Sequence, residues 1–157
     1  MGRFCALFYM QTKWEAENLE SDFSRYSMIT EKNKREIVLL RGRGCSWRRC
    51  TFCYYHKDSS LDEAANLARN QRVLERISGR YGILEVINSG SFVDLDQDTM
   101  LLIRQICDEK NIRQIHFESH WRHRNEIGRL RSFFDEIGVA VHVKIGVETF
   151  DRAYREQ

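Results

Sequence analysis

Apolar and polar positions alternate between two periods along this chain. A short apolar run, Ile37 to Leu40, reads as a buried strand that begins near Glu36. Gly42 and Gly44 end it, because glycine lets the backbone turn or be closely approached. Ser60-Leu61-Asp62-Glu63 has the form of a capping box, so a helix is expected from there to about Ser78. Leu61, Ala64, Ala65, Ala68, Leu74 and Ile77 supply its apolar face, with Asn70 and Arg72 breaking the pattern. Gly79 and Gly82 flank its end.

Ile83 to Ile87 predicts a second strand, followed by Asn88-Ser89-Gly90-Ser91. Asp96 to Asp98 place acid at the start of a second helix, where the helix dipole favours it. Met100, Leu101, Ile103, Ile106 and Cys107 form that helix's core face, which makes Cys107 a packing residue. Cys5 is read the same way. Ile112 to Phe117 is the third strand, Asn125 to Ile137 the third helix, closed by Gly138, and Val139 to Val147 the fourth strand. Strands alternating with helices predict an α/β fold of right-handed parallel βα repeats. Residues 1–35 carry the weakest pattern and are treated as an extension before the domain at 36–157; Trp14 to Tyr26 reads as a weak helix.

The 157 residues suffice for one domain with a core, and 42% hydrophobic with 31% charged residues describe a soluble globular chain. It contains no run of about 18 apolar residues, as a membrane span requires. Phe4 to Met10 is apolar, but no small-residue cleavage site follows it, which excludes a signal peptide. A net charge of +2 does not by itself argue for nucleic acid. Five cysteines, an odd number with three crowded together, point to a reducing compartment such as the cytoplasm, and to metal rather than disulfides.

Those three are Cys45, Cys50 and Cys53, spaced C-x4-C-x2-C directly after the first strand. Three thiolates leave a metal centre one ligand short, and an open position is what a catalytic site needs. The loop resembles the cluster loop of the radical S-adenosylmethionine (radical SAM) enzymes. Their usual spacing is C-x3-C-x2-C with an aromatic before the last cysteine. Phe52 fills that aromatic position, and one residue is added between Cys45 and Cys50.

The resemblance spans about residues 36–151 and implies an incomplete radical SAM partial (β/α)6 barrel with about four strands present. The last third of that fold is missing, so the chain is expected to be a truncated, amino-terminal part or to be completed by another chain. A sheet cut there exposes an edge, and poor solubility is expected. The resemblance implies that Cys45, Cys50 and Cys53 hold a 4Fe–4S cluster whose fourth iron binds S-adenosylmethionine. One electron then yields a 5′-deoxyadenosyl radical that abstracts hydrogen from substrate. It also implies an electron donor such as flavodoxin or ferredoxin.

Asn88, Ser89, Gly90 and Ser91 stand where the family has a glycine-rich turn binding the methionyl amino group. The family's acidic residue is absent there, and Asp94 is the nearest that could replace it. The Ser89-Gly90-Ser91-Phe92 turn resembles radical SAM proteins akin to the elongator acetyltransferase and archaeosine-forming proteins. In that subset, strand ends like those at Glu118 and Glu148 face the cofactor's ribose and methionyl portions. A transfer RNA substrate would fit the subset, as would the basic residues Arg41, Arg43, Arg48, Arg49 and Lys57, and His120, Arg122, His123 and Arg124 beside Trp121. The plainer reading of these charges is charge matching to the anionic cofactor, or solvated surface.

Two readings compete. His56 follows Cys53 at C-x2-H, so Cys45, Cys50, Cys53 and His56 could close a tetrahedral Cys3His zinc site in a nucleic-acid-binding module. An inactive remnant would form a cluster without cleaving S-adenosylmethionine.

Overall fold

The computed structural model describes residues 25–50, 53–146, 151 and 153, without the side chain of His56. Among them a five-stranded sheet runs in the order β1 (Tyr26–Ile29), β2 (Arg35–Leu40), β3 (Ile83–Asn88), β4 (Gln114–Glu118), β5 (Ala140–Lys144). β1 pairs antiparallel with β2, and every later neighbour is parallel. Helices α1 (Glu63–Leu74), α2 (Gln97–Glu109) and α3 (Arg124–Asp135) fill the three crossovers. The βα order expected from the hydrophobic pattern is therefore present, and no described helix is long and apolar enough to cross a membrane.

Strand alternation decides which face is covered. Val38 and Leu40, Leu84 and Val86, and Ile115 and Phe117 all turn to one side. There they meet Val73 and Leu74 of α1, Ile103, Ile106 and Cys107 of α2, and Leu130 and Phe134 of α3 in one core. Cys107 is fully buried and its thiol is pushed up to about 12, so it is an inert packing group, as its helical spacing predicts. The other face carries Ile37, Glu85, His116 and His142 in one row across β2 to β5. Glu85 bonds Arg35 and Lys144 there. Burial pushes its carboxyl up, but Lys144 and Arg35 outweigh that and hold it below the usual value.

The antiparallel strand β1 escaped the sequence pattern. It is only four residues long, and Tyr26, placed at the end of a weak helix, is extended instead. Its hydroxyl donates to Glu36 at 2.7 Å. Glu36 is fully buried, yet it also accepts from the Ser78 and Gly79 amides at 2.8 Å each and from the Ser78 hydroxyl at 3.0 Å. A carboxylate so satisfied ties the sheet edge to the turn after α1. Trp14 to Ser24, and Cys5, lie outside the described residues.

The start of α1 differs from the expected capping box. Ser60 is held by Gly42, whose carbonyl accepts from the Ser60 amide at 3.0 Å beside a bridge between Gly42 and the extended Ser59. Asp62 caps instead, accepting from the Ala65 amide at 3.0 Å. The helix also ends at Leu74 rather than near Ser78. Its buried face is Asn66, Asn70, Val73 and Leu74, while Leu61 is 76% exposed and Ala64, Ala65 and Ala68 are exposed. The reason is polar. Asn66 donates to the Ser60 carbonyl and Asn70 grips Arg41, so the two asparagines that break the apolar pattern do the docking.

Gly79 has φ +75, and a methyl there would lie 2.1 Å from the Lys110 carbonyl oxygen. Gly82 has φ +63 but nothing nearer than 3.7 Å. Gly79→Ala should cost about 3 kcal/mol or more in urea unfolding, and Gly82→Ala only about 1 kcal/mol; equal losses would contradict this packing. Burial and the Glu36 hydrogen bond raise the Tyr26 hydroxyl to about 12 from 10.0. Between those values the folded chain keeps a proton that the unfolded chain has lost, so stability falls as pH rises from 10.0 to about 12. Cys107 adds a fall of the same sign from 9.0 upward. The pH slope of the urea midpoint should be shallower in Tyr26→Phe.

Candidate functional site

The loop at residues 41–59 leaves the carboxyl end of β2, and its base is fastened by buried polar groups. Asn70, fully buried on α1, accepts from the Arg41 amide and donates to the Arg41 carbonyl, both at 2.8 Å. Arg25 grips Asp58 with two hydrogen bonds, at 2.9 and 2.6 Å, and Arg41 adds a third at 3.2 Å. Burial pushes the Asp58 carboxyl up, but these guanidinium groups prevail and hold it below its usual value.

Within the loop, Arg48 adopts the left-handed conformation, φ +51. Its guanidinium folds back to the carbonyls of Cys45 and Arg43, at 3.1 Å each. The one-residue widening between Cys45 and Cys50 is thus taken up by a residue that closes on its own loop. The Trp47 amide points to the Cys45 sulfur at 3.4 Å. The Trp47 ring stacks on His120, centroids 4.8 Å apart. Arg122 donates to the Ser46 carbonyl at 3.2 Å, and the Ser46 hydroxyl lies 3.2 Å from His123 Nε2. Burial first, then the charges of His123 and Arg122, lower the His120 pKa and favour a neutral imidazole against the indole.

The turn after β3 meets this loop. A methyl at Gly90 would lie 2.8 Å from the Cys45 Cα, 3.0 Å from the Cys45 nitrogen and 2.7 Å from Asp94 Oδ2. Only glycine permits that approach. Ser91 is committed to protein. Its hydroxyl accepts from the His120 amide at 2.8 Å, its carbonyl accepts from Asn88 at 2.9 Å, and its amide donates to Asp94 at 2.9 Å. Ser91 therefore braces the site while it also lines the neighbouring cavity.

Between these parts lies a cavity of about 430 Å³. It is lined by Cys45, Cys53, Asn88, Ser89, Gly90 and Glu118, and by Tyr55, Trp121 and Lys144. Asn88 and Ser89 are buried, and their side-chain oxygens have no partner among the described residues. A buried polar atom left unpaired in a cavity wall marks where a bound group supplies the missing hydrogen bond. The residues thus fit a ligand with polar hydrogens beside two thiols. A larger cavity of about 1080 Å³ opens by the amino ends of α1 and α2, but none of the three cysteines lines it.

The sequence-predicted residues do not all reach the cavity. Cys45 and Cys53 are half-buried in its wall, whereas Cys50 is exposed and does not line it. Phe52 and Glu148 lie outside the described residues. Among the described residues no three His, Cys, Asp or Glu side chains converge as a single ion requires. The His56 side chain, the fourth ligand of the zinc reading, lies outside the described residues. Lys144, Tyr55 and Trp47 were not anticipated. Lys144 carries a readable signal, standing two residues after His142 on the same face of the last strand.

No family model and no curated protein matches the chain. Among solved structures, a queuine lyase from Clostridium spiroforme, bound to SAM and queuine, is 45% identical with a TM-score of 0.79. The match covers 84% of this chain and 56% of that one, so the chain spans just over half the lyase's length. Topology and likeness together give the chain the fold of a partial radical SAM barrel.

Proposed function

We propose that this chain is the cluster- and cofactor-binding part of a radical SAM enzyme. Cys45, Cys50 and Cys53 would hold a 4Fe–4S cluster, and the cavity of about 430 Å³ would take S-adenosylmethionine. The observation that carries this reading is the junction of Gly90 with Cys45, beside the unpaired oxygens of Asn88 and Ser89. When bound, these groups supply reductive cleavage of a sulfonium and abstraction of a hydrogen atom.

The chain's own residues have defined tasks in this reading. Asn88 Oδ1 accepts from the cofactor's amino group, in place of the family's acidic residue, and Ser89 adds a second polar contact. Gly90 brings the turn's backbone close to that amino group. Glu118, at the end of β4 on the cavity wall, accepts from the ribose hydroxyls. The Trp47 amide donates to the Cys45 sulfur, and such hydrogen bonds tune a cluster's potential. Phe52 and Glu148 keep the cofactor-side roles implied by the family resemblance.

For substrate, the likeness to a lyase bound to queuine favours a 7-deazaguanine base or a related flat heterocycle. The exposed rings of Tyr55 and Trp121 on the cavity wall suit such a base. The Ser89-Gly90-Ser91-Phe92 turn supports the finer likeness to the elongator and archaeosine-forming subset.

Anaerobic reconstitution tests the reading. The wild-type chain should take up iron and sulfide and absorb broadly near ~400 nm, as iron–sulfur charge transfer does and zinc does not. Cys50→Ala should lose the cluster and Cys107→Ala should keep it; equal iron in both variants refutes the ligand assignment. Gly90→Ala should keep the far-UV circular dichroism of the wild type while its affinity for S-adenosylmethionine in equilibrium dialysis falls at least ~10-fold, because the turn must back away from Cys45. Unchanged affinity would show that this junction does not shape the cofactor site.

A further inference from the structure

One peptide unit of the cysteine loop is held at both ends. The Ser46 carbonyl and the Trp47 N–H belong to the same planar trans peptide, so they point in opposite directions. At one end the Trp47 amide donates to the Cys45 sulfur at 3.4 Å. At the other, Arg122 Nη1 donates to the Ser46 carbonyl oxygen at 3.2 Å. The side chains flanking this unit are held from the same loop after β4. The Trp47 ring stacks on His120, with 25° between the planes, and the Ser46 hydroxyl lies 3.2 Å from His123 Nε2. The Arg122 guanidinium also lies 5.9 Å from the Trp47 ring centroid. Ser91 fixes that loop in turn, accepting from the His120 amide at 2.8 Å.

We propose that Arg122 and His120 are positioning residues that lock the Ser46–Trp47 peptide with its N–H on the Cys45 sulfur, and so raise the one-electron potential of the cluster. The proposal rests on the cluster reading. Rotating a peptide plane about its two Cα atoms exchanges its ends, which would turn the N–H away from the sulfur and the carbonyl towards it. An N–H aimed at a thiolate sulfur favours added negative charge, and a carbonyl oxygen there opposes it. The reduced cluster is the more negative state, so the locked orientation favours reduction. Arg122 loses its acceptor if the plane turns, and the stack on His120 keeps the Trp47 ring from following such a turn.

The widened loop needs an outside anchor. Ser46, Arg48, Arg49 and Cys50 are exposed, and no helix or strand passes through this stretch. The groups that fix its peptide plane therefore come from far along the chain, 76 positions from Ser46 in the case of Arg122. The Arg122 charge acting through space would also favour the reduced cluster. That effect needs no stacked ring at position 120, so the two explanations make different predictions.

The test compares the full reconstituted chain with Arg122→Met, His120→Ala, His120→Phe and Arg124→Met, the last an exposed cation at the start of α3. Redox titration is read at the wild-type midpoint. There the ratio of reduced to oxidised cluster should fall at least ~3-fold in Arg122→Met and in His120→Ala. His120→Phe, which keeps a ring to stack, and Arg124→Met should match wild type, as should the iron content of every variant. A second readout needs no cluster: in the apo chain, hydrogen exchange at the Trp47 amide followed by NMR should speed up in Arg122→Met and His120→Ala and stay at the wild-type rate in His120→Phe. An unmoved potential in Arg122→Met, a shift there with none in His120→Ala, an equal shift in Arg124→Met, or unchanged Trp47 exchange would overturn the lock while leaving the cluster reading intact. A wild-type chain that takes up no iron would overturn both.

Discussion

The site depends on one close approach, that of the Gly90 turn to the backbone of Cys45. A cluster loop alone can place sulfur atoms, but it cannot place a second ligand relative to them. Here the turn after β3 fixes the loop after β2 at a spacing that a single methyl would disrupt. Because β2 and β3 are parallel neighbours, both carboxyl ends emerge at the same edge. The sheet therefore sets the coarse separation and the glycine sets the fine one.

Buried polar groups, more than apolar contacts, hold this edge in place. Asn70 pairs both backbone groups of Arg41 from inside the core, and its amide also donates to Thr99 at 3.2 Å. Glu36 satisfies four donors at the opposite end of the same strand. Hydrogen bonds are directional where hydrophobic contact is not, so such anchors define position at both ends of β2. Ser91 extends the same logic to β4, since it joins the Gly90 turn to His120, which in turn stacks against Trp47 of the cysteine loop.

The sheet's two faces divide the labour. Helices cover the side where the strand valines, leucines and phenylalanine gather, and the polar row Glu85, His116 and His142 lies on the opposite side. The same alternation brings Glu118 opposite Lys144 on that second side, where both line the cavity. A barrel lumen needs this arrangement, with charge inward over a floor of paired side chains. The likeness to a SAM-bound queuine lyase, at a TM-score of 0.79, accords with it.

Hydrophobic periodicity by itself determined the order of four strands and three helices, the parallel class of the fold, and the burial of Cys107. It also marked Cys45, Cys50, Cys53 and the glycine turn as one chemical edge, because strand ends follow from where apolar runs stop. Tertiary structure alone decided the rest. Strand β1 is too short to show a period, and its place comes from pairing with β2 and from the Tyr26 bond to Glu36. The docking face of α1 turned on Asn66 and Asn70, whose partners are backbone groups far away in sequence and invisible to any apolar pattern. For the same reason Lys144, Tyr55 and Trp47 entered the site, and Ser91, which lines the cavity, also took on a structural role. A side chain's task there depends on what stands across the cavity from it, and that neighbour is supplied by folding.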